Sequence, residues 1–336
     1  MAVTMREVAR QAGVSVATVS RVLNASGPVG EGTRQRILQT AGRLRYVPNG
    51  TARNLKASAT ATVGVLLPDL YGDFYSEVIR GVEGAARAAR YHTLLASVHD
   101  GPDELTAALR TMAGRVDGLV VMSPDIEGDV LRAGLPAGLP VVVLGGAVAG
   151  HGSVAIDDAA GAEAMTRHLL GLGHRRVALV SGPPGNADAR ARRAGYDRAL
   201  AEAGRGASPA LVLDGAFTEA SGYDAVAAFL ALSPRPTALF CANDAMAIGA
   251  LRALREAGLD VPGDVAVAGF DDVPVARYVT PALTTVHVPI DEMGAHAVGA
   301  VLDAVGAAAG PSAAPSAAPP AVTLPTRLVV RESCGA

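Results

Sequence analysis

Seven consecutive residues near the N-terminus, Ser15-Val16-Ala17-Thr18-Val19-Ser20-Arg21, combine one guanidinium with hydroxyls and small apolar side chains. A guanidinium makes two parallel hydrogen bonds to a guanine edge, and Val16 and Ala17 offer the apolar contact that suits a thymine methyl. The hydroxyls of Ser15, Thr18 and Ser20 suit phosphate oxygens or helix capping, which fix register without reading sequence. Such chemistry needs a helix whose first turn reaches base edges. The flanking residues supply it: Thr4-Met5-Arg6-Glu7 fits a capping box that opens a first helix, with Val8, Ala9 and Ala12 on its apolar face. Gly13 permits a left-handed turn and Ser15 can cap a second helix from Val16 to Leu23, so the pair reads as a helix-turn-helix. A third helix near Thr33 to Leu44 places Ile37, Leu38, Ala41 and Leu44 to close a small core with Val8, Val14, Val19 and Leu23. An ordinary helical mini-domain is the alternative.

Charge separates the two readings. Residues 1–57 hold nine Lys and Arg against two Asp and Glu, a net of +7, while the remaining chain carries −10 within an overall −3. A basic head on an acidic body suits a polyanionic partner. The chain has 336 residues, 50% hydrophobic, and no apolar run near the ~20 residues of a membrane span, so no membrane partner is expected. Met1-Ala2-Val3-Thr4-Met5-Arg6-Glu7 carries charge where a secretory signal would be apolar, and a cytoplasmic location is expected. Cys241 and Cys334 are too few for a disulfide framework and lack metal-ligand spacing.

From Thr62 onward the pattern changes to short apolar runs alternating with Ala-rich amphipathic segments, from Val63-Gly64-Val65-Leu66-Leu67 through Gly118 to Met122, Val141 to Leu144, Val177 to Val180, Ala238 to Cys241 and Val265 to Ala268. Continuously apolar strands are buried on both faces, which implies parallel sheets covered by helices. A body of about 270 residues exceeds one sheet, so two lobes are expected, dividing near Ala155 to Asp158. Gly306 to Pro320 reads as a flexible Ala/Pro/Gly/Ser excursion before a last strand at Arg327 to Arg331. The fold class expected is an N-terminal all-α helix-turn-helix headpiece plus an α/β body of two doubly wound parallel-sheet lobes.

Catalytic patterns find little. G-x-x-x-x-G-K-[ST], G-x-S-x-G and H-E-x-x-H are all missing from the sequence. The seven histidines are scattered, with His168 and His174 read as a helix-end feature. Ser181-Gly182-Pro183-Pro184-Gly185 only superficially resembles a phosphate loop, since proline lacks the amide donor. Cys241, ending an apolar strand, reads as an inert buried thiol. No enzyme activity and no cofactor are expected.

Met5 to Asn24 resembles, almost without a break, the opening of the lactose-repressor/galactose-repressor (LacI/GalR) family of bacterial transcription regulators. The likeness continues in Leu44-Arg45-Tyr46-Val47-Pro48-Asn49 and in Ala52-Arg53-Asn54-Leu55, similar to the family's hinge. It implies a hinge that becomes helical on the operator, with paired leucines wedged into the minor groove and Leu55 as the matching residue; packing within the linker is the alternative for Leu55. Gly50-Thr51 departs from better helix formers and makes the free hinge floppier. The implied DNA-contacting set is Thr4, Ser15, Val16, Ala17, Thr18, Ser20, Arg21, Asn24, Asn49, Arg53 and Leu55.

The likeness extends through Val154 to Asp158, His168 to Val177, Ala242 to Ala247, Gly269 to Asp272, Leu283 to Val286 and Leu324 to Ser333. It implies a periplasmic-binding-protein-like body whose two lobes close on a small sugar-like or nucleoside-like effector. Ligands in parallel sheets bind beyond the carboxyl ends of strands. By that position and the likeness, the expected effector contacts are Asp69, Tyr71, Phe74, Arg190, Arg192, Phe217, Asn243 and Asp271, with Asp100 as an extra candidate. Strand-end capping or a surface ion pair is the alternative for Arg192, Asn243 and Asp271, and plain core packing for Phe74 and Phe217. Gly145 departs from sugar-binding members that carry a carboxylate there.

The expected layout is a head at 1–48, a hinge at 49–60 and a body at 61–336, whose N-lobe takes about 61–157 and 288–320 and whose C-lobe takes about 158–287 and 321–336. The function implied is a ligand-responsive transcriptional regulator, a repressor, binding a palindromic double-stranded DNA operator as a homodimer. A cytoplasmic solute-binding or enzymatic α/β protein with an accessory helical domain is the alternative. The chain lacks a terminal leucine heptad of the kind that assembles tetramers.

Overall fold

The computed structural model describes residues 3–23, 27–46, 60–99, 101–206, 208–308 and 320–335. The chain divides into two compact units, Met1–Thr60 and Ala61–Ala336. Of the expected hinge, only Thr60 is among the described residues.

The first unit is three helices, α1 (Met5–Ala12), α2 (Val16–Leu23) and α3 (Glu31–Arg43). Thr4 Oγ1 accepts the Glu7 amide at 3.3 Å, and Gly13, at φ 63°, ends α1 in a conformation that a side chain would strain. The expected capping box is half made. Glu7 turns its carboxylate to Arg10 and Gln11, because a charge-assisted bond to Arg10 outcompetes a neutral amide. Val8, Ala9, Ala12, Val19, Val22, Ile37 and Ala41 are buried together, with Val14, Leu23 and Leu44 half-buried at the edge. Leu38, expected in this core, is instead 47% exposed. It stands roughly 100° around the helix from Ile37, and only one of the two can face the other helices. Arg36 Nε donates to the Ala12 carbonyl at 3.1 Å and ties α3 to the end of α1.

The second unit begins with β1 (Thr62–Leu67), α4 (Asp73–Ala88), β2 (His92–Ser97), α5 (Pro102–Met112), β3 (Gly118–Val121), α6 (Gly128–Gly134), β4 (Val141–Leu144) and β5 (Gly152–Ile156). It continues through α7 (Asp158–Gly171), β6 (Val177–Val180), α8 (Ala187–Glu202), β7 (Val212–Leu213), α9 (Glu219–Ala231), β8 (Ala238–Cys241), α10 (Asp244–Glu256), β9 (Ala266–Ala268) and β10 (Thr285–His287). It closes with α11 (Ile290–Ala308), β11 (Ala321–Leu324) and β12 (Arg327–Val329).

These strands build two sheets. The first runs β2-β1-β3-β4-β5-β11, every pair parallel. The second runs β7-β6-β8-β9, also parallel, and reaches β10 through bridges from Ala268 to Thr284 and Asp271 to His287; β12 then pairs antiparallel with β10. Strands β3, β4, β6 and β8 are buried along their whole length, because helices cover both faces. One boundary differs from expectation. Residues 321–324, expected in the second lobe, pair with β5 in the first, with Val322 opposite Val154 and Leu324 opposite Ile156. The chain therefore passes between lobes at Asp157, at Val288-Pro289 and at Pro325-Thr326.

Helices α9 and α10 meet backbone to backbone. A Cβ at Gly222 would stand 2.0 Å from the Met246 carbonyl oxygen, and one at Gly249 would stand 1.9 Å from that of Glu219. Only glycine fits at either position. The contact fixes α10, which opens at the strand-end residues Asn243 and Asp244, closely against α9. Among the described residues no helix is long and apolar enough to cross a membrane.

Candidate functional site

In the head, Val19 and Val22 turn inward and leave Val16, Ala17 and Arg21 exposed on the other side of α2, Val16 at 41%. Apolar side chains beside an uncovered guanidinium suit base edges. Ser15 Oγ accepts the Thr18 amide at 3.1 Å and lies 2.8 Å from Thr18 Oγ1, so these hydroxyls fix the helix start. Thr4 is exposed at the start of α1 and Ser20 is half-buried. Asn24, Asn49, Arg53 and Leu55 lie outside the described residues.

In the body, the strands' carboxyl ends converge on one buried guanidinium. Arg192, in α8, is 5% exposed; its Nε donates to Asp158 at 2.8 Å and its Nη1 to the Ala242 carbonyl at 2.6 Å. Nη1 also lies 3.2 Å from Asp271 Oδ1, and the guanidinium carbon stands 3.9 Å from the Phe270 ring centre and 5.8 Å from that of Phe217. Burial opposes the Arg192 charge, but Asp271, Asp158 and Asp188 outweigh it, and the guanidinium is held protonated.

The acids carry the opposite strain. Asp188 is pushed up to about 7 by burial and by Asp158, against the pull of Arg192. Asp271 is likewise pushed up to about 7 by burial, with Asp158 and Asp188 adding repulsion that Arg192 only partly offsets. Asp271 is 3% exposed, adopts φ 114°, and its Oδ1 is held by the Arg192 ion pair, off the line of a hydrogen bond. Its neighbour Asp272 is anchored by Arg331 Nη2 at 2.5 Å and His287 Nδ1 at 2.9 Å, so two of the interlobe passages brace this turn. Asp244, wholly buried, accepts from Thr285 Oγ1 at 2.5 Å and the Val273 amide at 2.9 Å, and burial holds its carboxyl well above the usual range.

The lobes touch beside this cluster. Asn186 Nδ2 in the second lobe donates to Asp125 Oδ1 in the first at 3.0 Å, and the Ala187 amide donates to the Pro124 carbonyl at 3.0 Å. Tyr75, on α4 of the first lobe, has its hydroxyl pushed up by burial and by the charges of Asp125, Asp69, Asp188 and Asp271, acids of both lobes.

The expected residues divide. Arg192 and Asp271 meet in this cluster, and the half-buried Phe217, at φ 60°, covers Gly182, where a Cβ would stand 2.3 Å from the ring. Phe74 is half-buried and meets Tyr75 edge-on at 5.5 Å. Asn243 is engaged as a cap: Oδ1 accepts the Met246 amide and Nδ2 donates to the Phe217 carbonyl, both at 3.0 Å. Asp69 Oδ1 takes the Leu70 and Tyr71 amides in a local turn. Two residues turn away: Tyr71 is 82% exposed, and Arg190 is exposed with its Nη1 on the Gly185 carbonyl at 2.6 Å. Asp100 lies outside the described residues. Sequence reasoning missed Tyr75, Asp125, Asp158 and Asp188. The spacing of Asp188 four residues before Arg192, one helical turn, was the available signal. Cys241 is wholly buried and its thiol is pushed up by burial, while His168 and His174 take separate partners, Cys334 Sγ at 3.4 Å and Thr237 Oγ1 at 2.9 Å.

Comparison with known proteins adds to this geometry. Residues 4–49 match the family described as bacterial regulatory proteins, lacI family, and residues 166–334 match the periplasmic binding protein-like domain. The HTH-type transcriptional repressor PurR of Photobacterium profundum is 35% identical over 306 residues, covering 90% of this chain and 92% of the relative. The ribose operon repressor of Escherichia coli (strain K12) is 36% identical over 307 residues, covering 90% and 93%. Among solved structures, a Lac repressor dimer bound to operator and the anti-inducer ONPF superposes with TM-score 0.85 at 28% identity, covering 100% of both chains.

Proposed function

This chain belongs to the lacI family of bacterial regulatory proteins, and from that premise we propose that it is a ligand-responsive DNA-binding transcriptional regulator, a repressor. The observation that carries the reading is the union in one chain of a basic helix-turn-helix whose α2 leaves Val16, Ala17 and Arg21 uncovered and a two-lobed body with a buried arginine at its cleft. Arg21 reads a guanine, Val16 and Ala17 meet an apolar base edge, and Thr4, Ser15, Thr18 and Ser20 hold register on phosphates. Asn24, Asn49 and Arg53 extend these contacts, and Leu55 wedges into the minor groove.

A small sugar-like or nucleoside-like effector binds against Arg192, Asp271 and Phe217, with Asp69, Phe74 and Asn243 at the rim. It acts through lobe closure, by differential affinity for two lobe arrangements. The chain works as a homodimer on a palindromic operator in the cytoplasm; a relative solved as a dimer on its operator supports this. It turns nothing over. Selection from random duplexes tests the reading: the purified chain enriches a palindrome with two half-sites, and enrichment of no common sequence overturns it. Product analysis after long incubation with a bound ligand returns the ligand unchanged; a new product would revive the enzymatic alternative.

A further inference from the structure

Acids gather in the cleft. Asp125 and Asp158 act on Asp188 there, Asp158 and Asp188 act on Asp271, and Arg190 and Arg192 oppose them at Asp188. Arg190 is exposed and turned to the Pro184 and Gly185 carbonyls. Arg192 is hydrogen-bonded to Asp158 and Ala242 and meets the buried Asp271 Oδ1 as an ion pair at 3.2 Å, off the line of a hydrogen bond. Among the described residues no donor bonds the Asp188 carboxylate. Its Oδ2 lies 4.0 Å from where Gly145, at the end of β4, would place a Cβ, and Met122 Cε lies 3.4 Å from that point, so the carboxylate stands beside the strand end that carries no side chain. Both carboxylates therefore keep acceptor capacity that a ligand's donors can take up.

The chemistry of that ligand follows from charge. A hydroxyl would donate to Asp188 or Asp271 but bring no charge, and a phosphate would disfavour the ionised forms of the surrounding acids, whereas a cation favours them. An ammonium supplies up to three donors and cancels one charge at short range. Hydroxyls beside it would use the remaining acceptors, and Phe217 offers a ring face to the apolar side of a sugar ring. Resting on the reading of the body as an effector sensor, we propose that its effector is an amino sugar whose ammonium is received by Asp188 and Asp271. Asp188, from the second lobe, then does the work of the carboxylate that Gly145 does not provide from the first.

Isothermal titration at pH 7 with D-glucosamine, D-galactosamine and D-mannosamine, each beside its neutral parent hexose and the parent's 6-phosphate, tests this. At least one aminohexose is expected to bind about tenfold or more tightly than its parent, the gain of one charge-assisted contact, and no 6-phosphate to bind. Asp188→Asn and Asp188→Ser are expected to erase the preference while melting at or above the wild-type midpoint. Equal binding of a parent hexose, a bound 6-phosphate, or no aminohexose bound at all would overturn the inference. Operator binding by the same preparation is read in parallel: if it persists, only the amino-sugar inference falls, whereas its absence would overturn the regulator reading itself.

Discussion

Arg192 shows how one side chain ties together parts of the chain that are far apart in sequence. Its partners Asp158, Ala242 and Asp271 come from the first residue of α7, the end of β8 and the turn after β9. Replacing it with Ala leaves two buried acids facing each other unneutralised. Arg192→Ala is expected to cost about 3–5 kcal/mol in the denaturant unfolding of the body, and a loss below about 1 kcal/mol would contradict this account. The acids add a pH dependence with a definite sign. Asp188 and Asp271 bind protons more readily in the folded chain, at about 7, than at their ordinary 3.8. The folded state holds extra protons between those values, so the ligand-free body loses stability as pH rises through about 4 to 7 and stays lower above that window. Asp188→Asn should flatten the slope and raise the melting midpoint at pH 8. An unchanged slope would place the strain elsewhere. Arg192 and Asp271 were legible in sequence from the family likeness together with their places after apolar strands. Asp125 and Tyr75 were not, since they join the cluster only where the first lobe approaches the second.

At the scale of elements, α2 and the α9/α10 pair make the sharpest demands. With Val19 and Val22 fixed in the head's core, α2 can present only one outward face, and Arg21 is its long cationic member. Arg21→Ala should relax preference at a single base pair of each half-site by about 1–3 kcal/mol, read by competition among operator variants; uniform weakening across all variants would mean a phosphate contact instead. Gly222→Ala puts a methyl group against the Met246 carbonyl and should destabilise the second lobe by about 1–3 kcal/mol or more, measured by thermal unfolding. No effect would mean that α9 and α10 shift apart freely. Helices and strands were readable from periodicity and capping residues, since those signals are local. The placing of 321–324 was not, because pairing with β5 depends on a partner more than 160 residues earlier in the chain. Leu38 was misplaced for a related reason: composition marks a residue as apolar, while the angle it takes around the helix decides whether it is buried.

Across the whole molecule, the uneven charge separates two tasks. Residues 1–57, at +7, gain affinity for DNA by releasing counterions, so operator binding should weaken steeply with added salt. The cleft holds Arg192, Asp158 and Asp271 buried and at close range, so ligand binding there should depend on salt far less. The basic head and the two-lobed body were legible from composition and strand patterning, and the effector task came from the family resemblance. How the tasks are coupled was not, because coupling depends on a difference between two lobe arrangements, and only the contacts between lobes, such as Asn186 with Asp125, begin to define one of them.

The central claim, that a molecule in the cleft controls the head's grip on DNA, is tested by titrating the selected operator by fluorescence anisotropy with and without a saturating cleft ligand, and then titrating the ligand with and without operator. The two affinities should each change by the same factor, about 5- to 150-fold, as reciprocal linkage requires. A ligand that binds the cleft and leaves operator affinity unchanged would contradict the account.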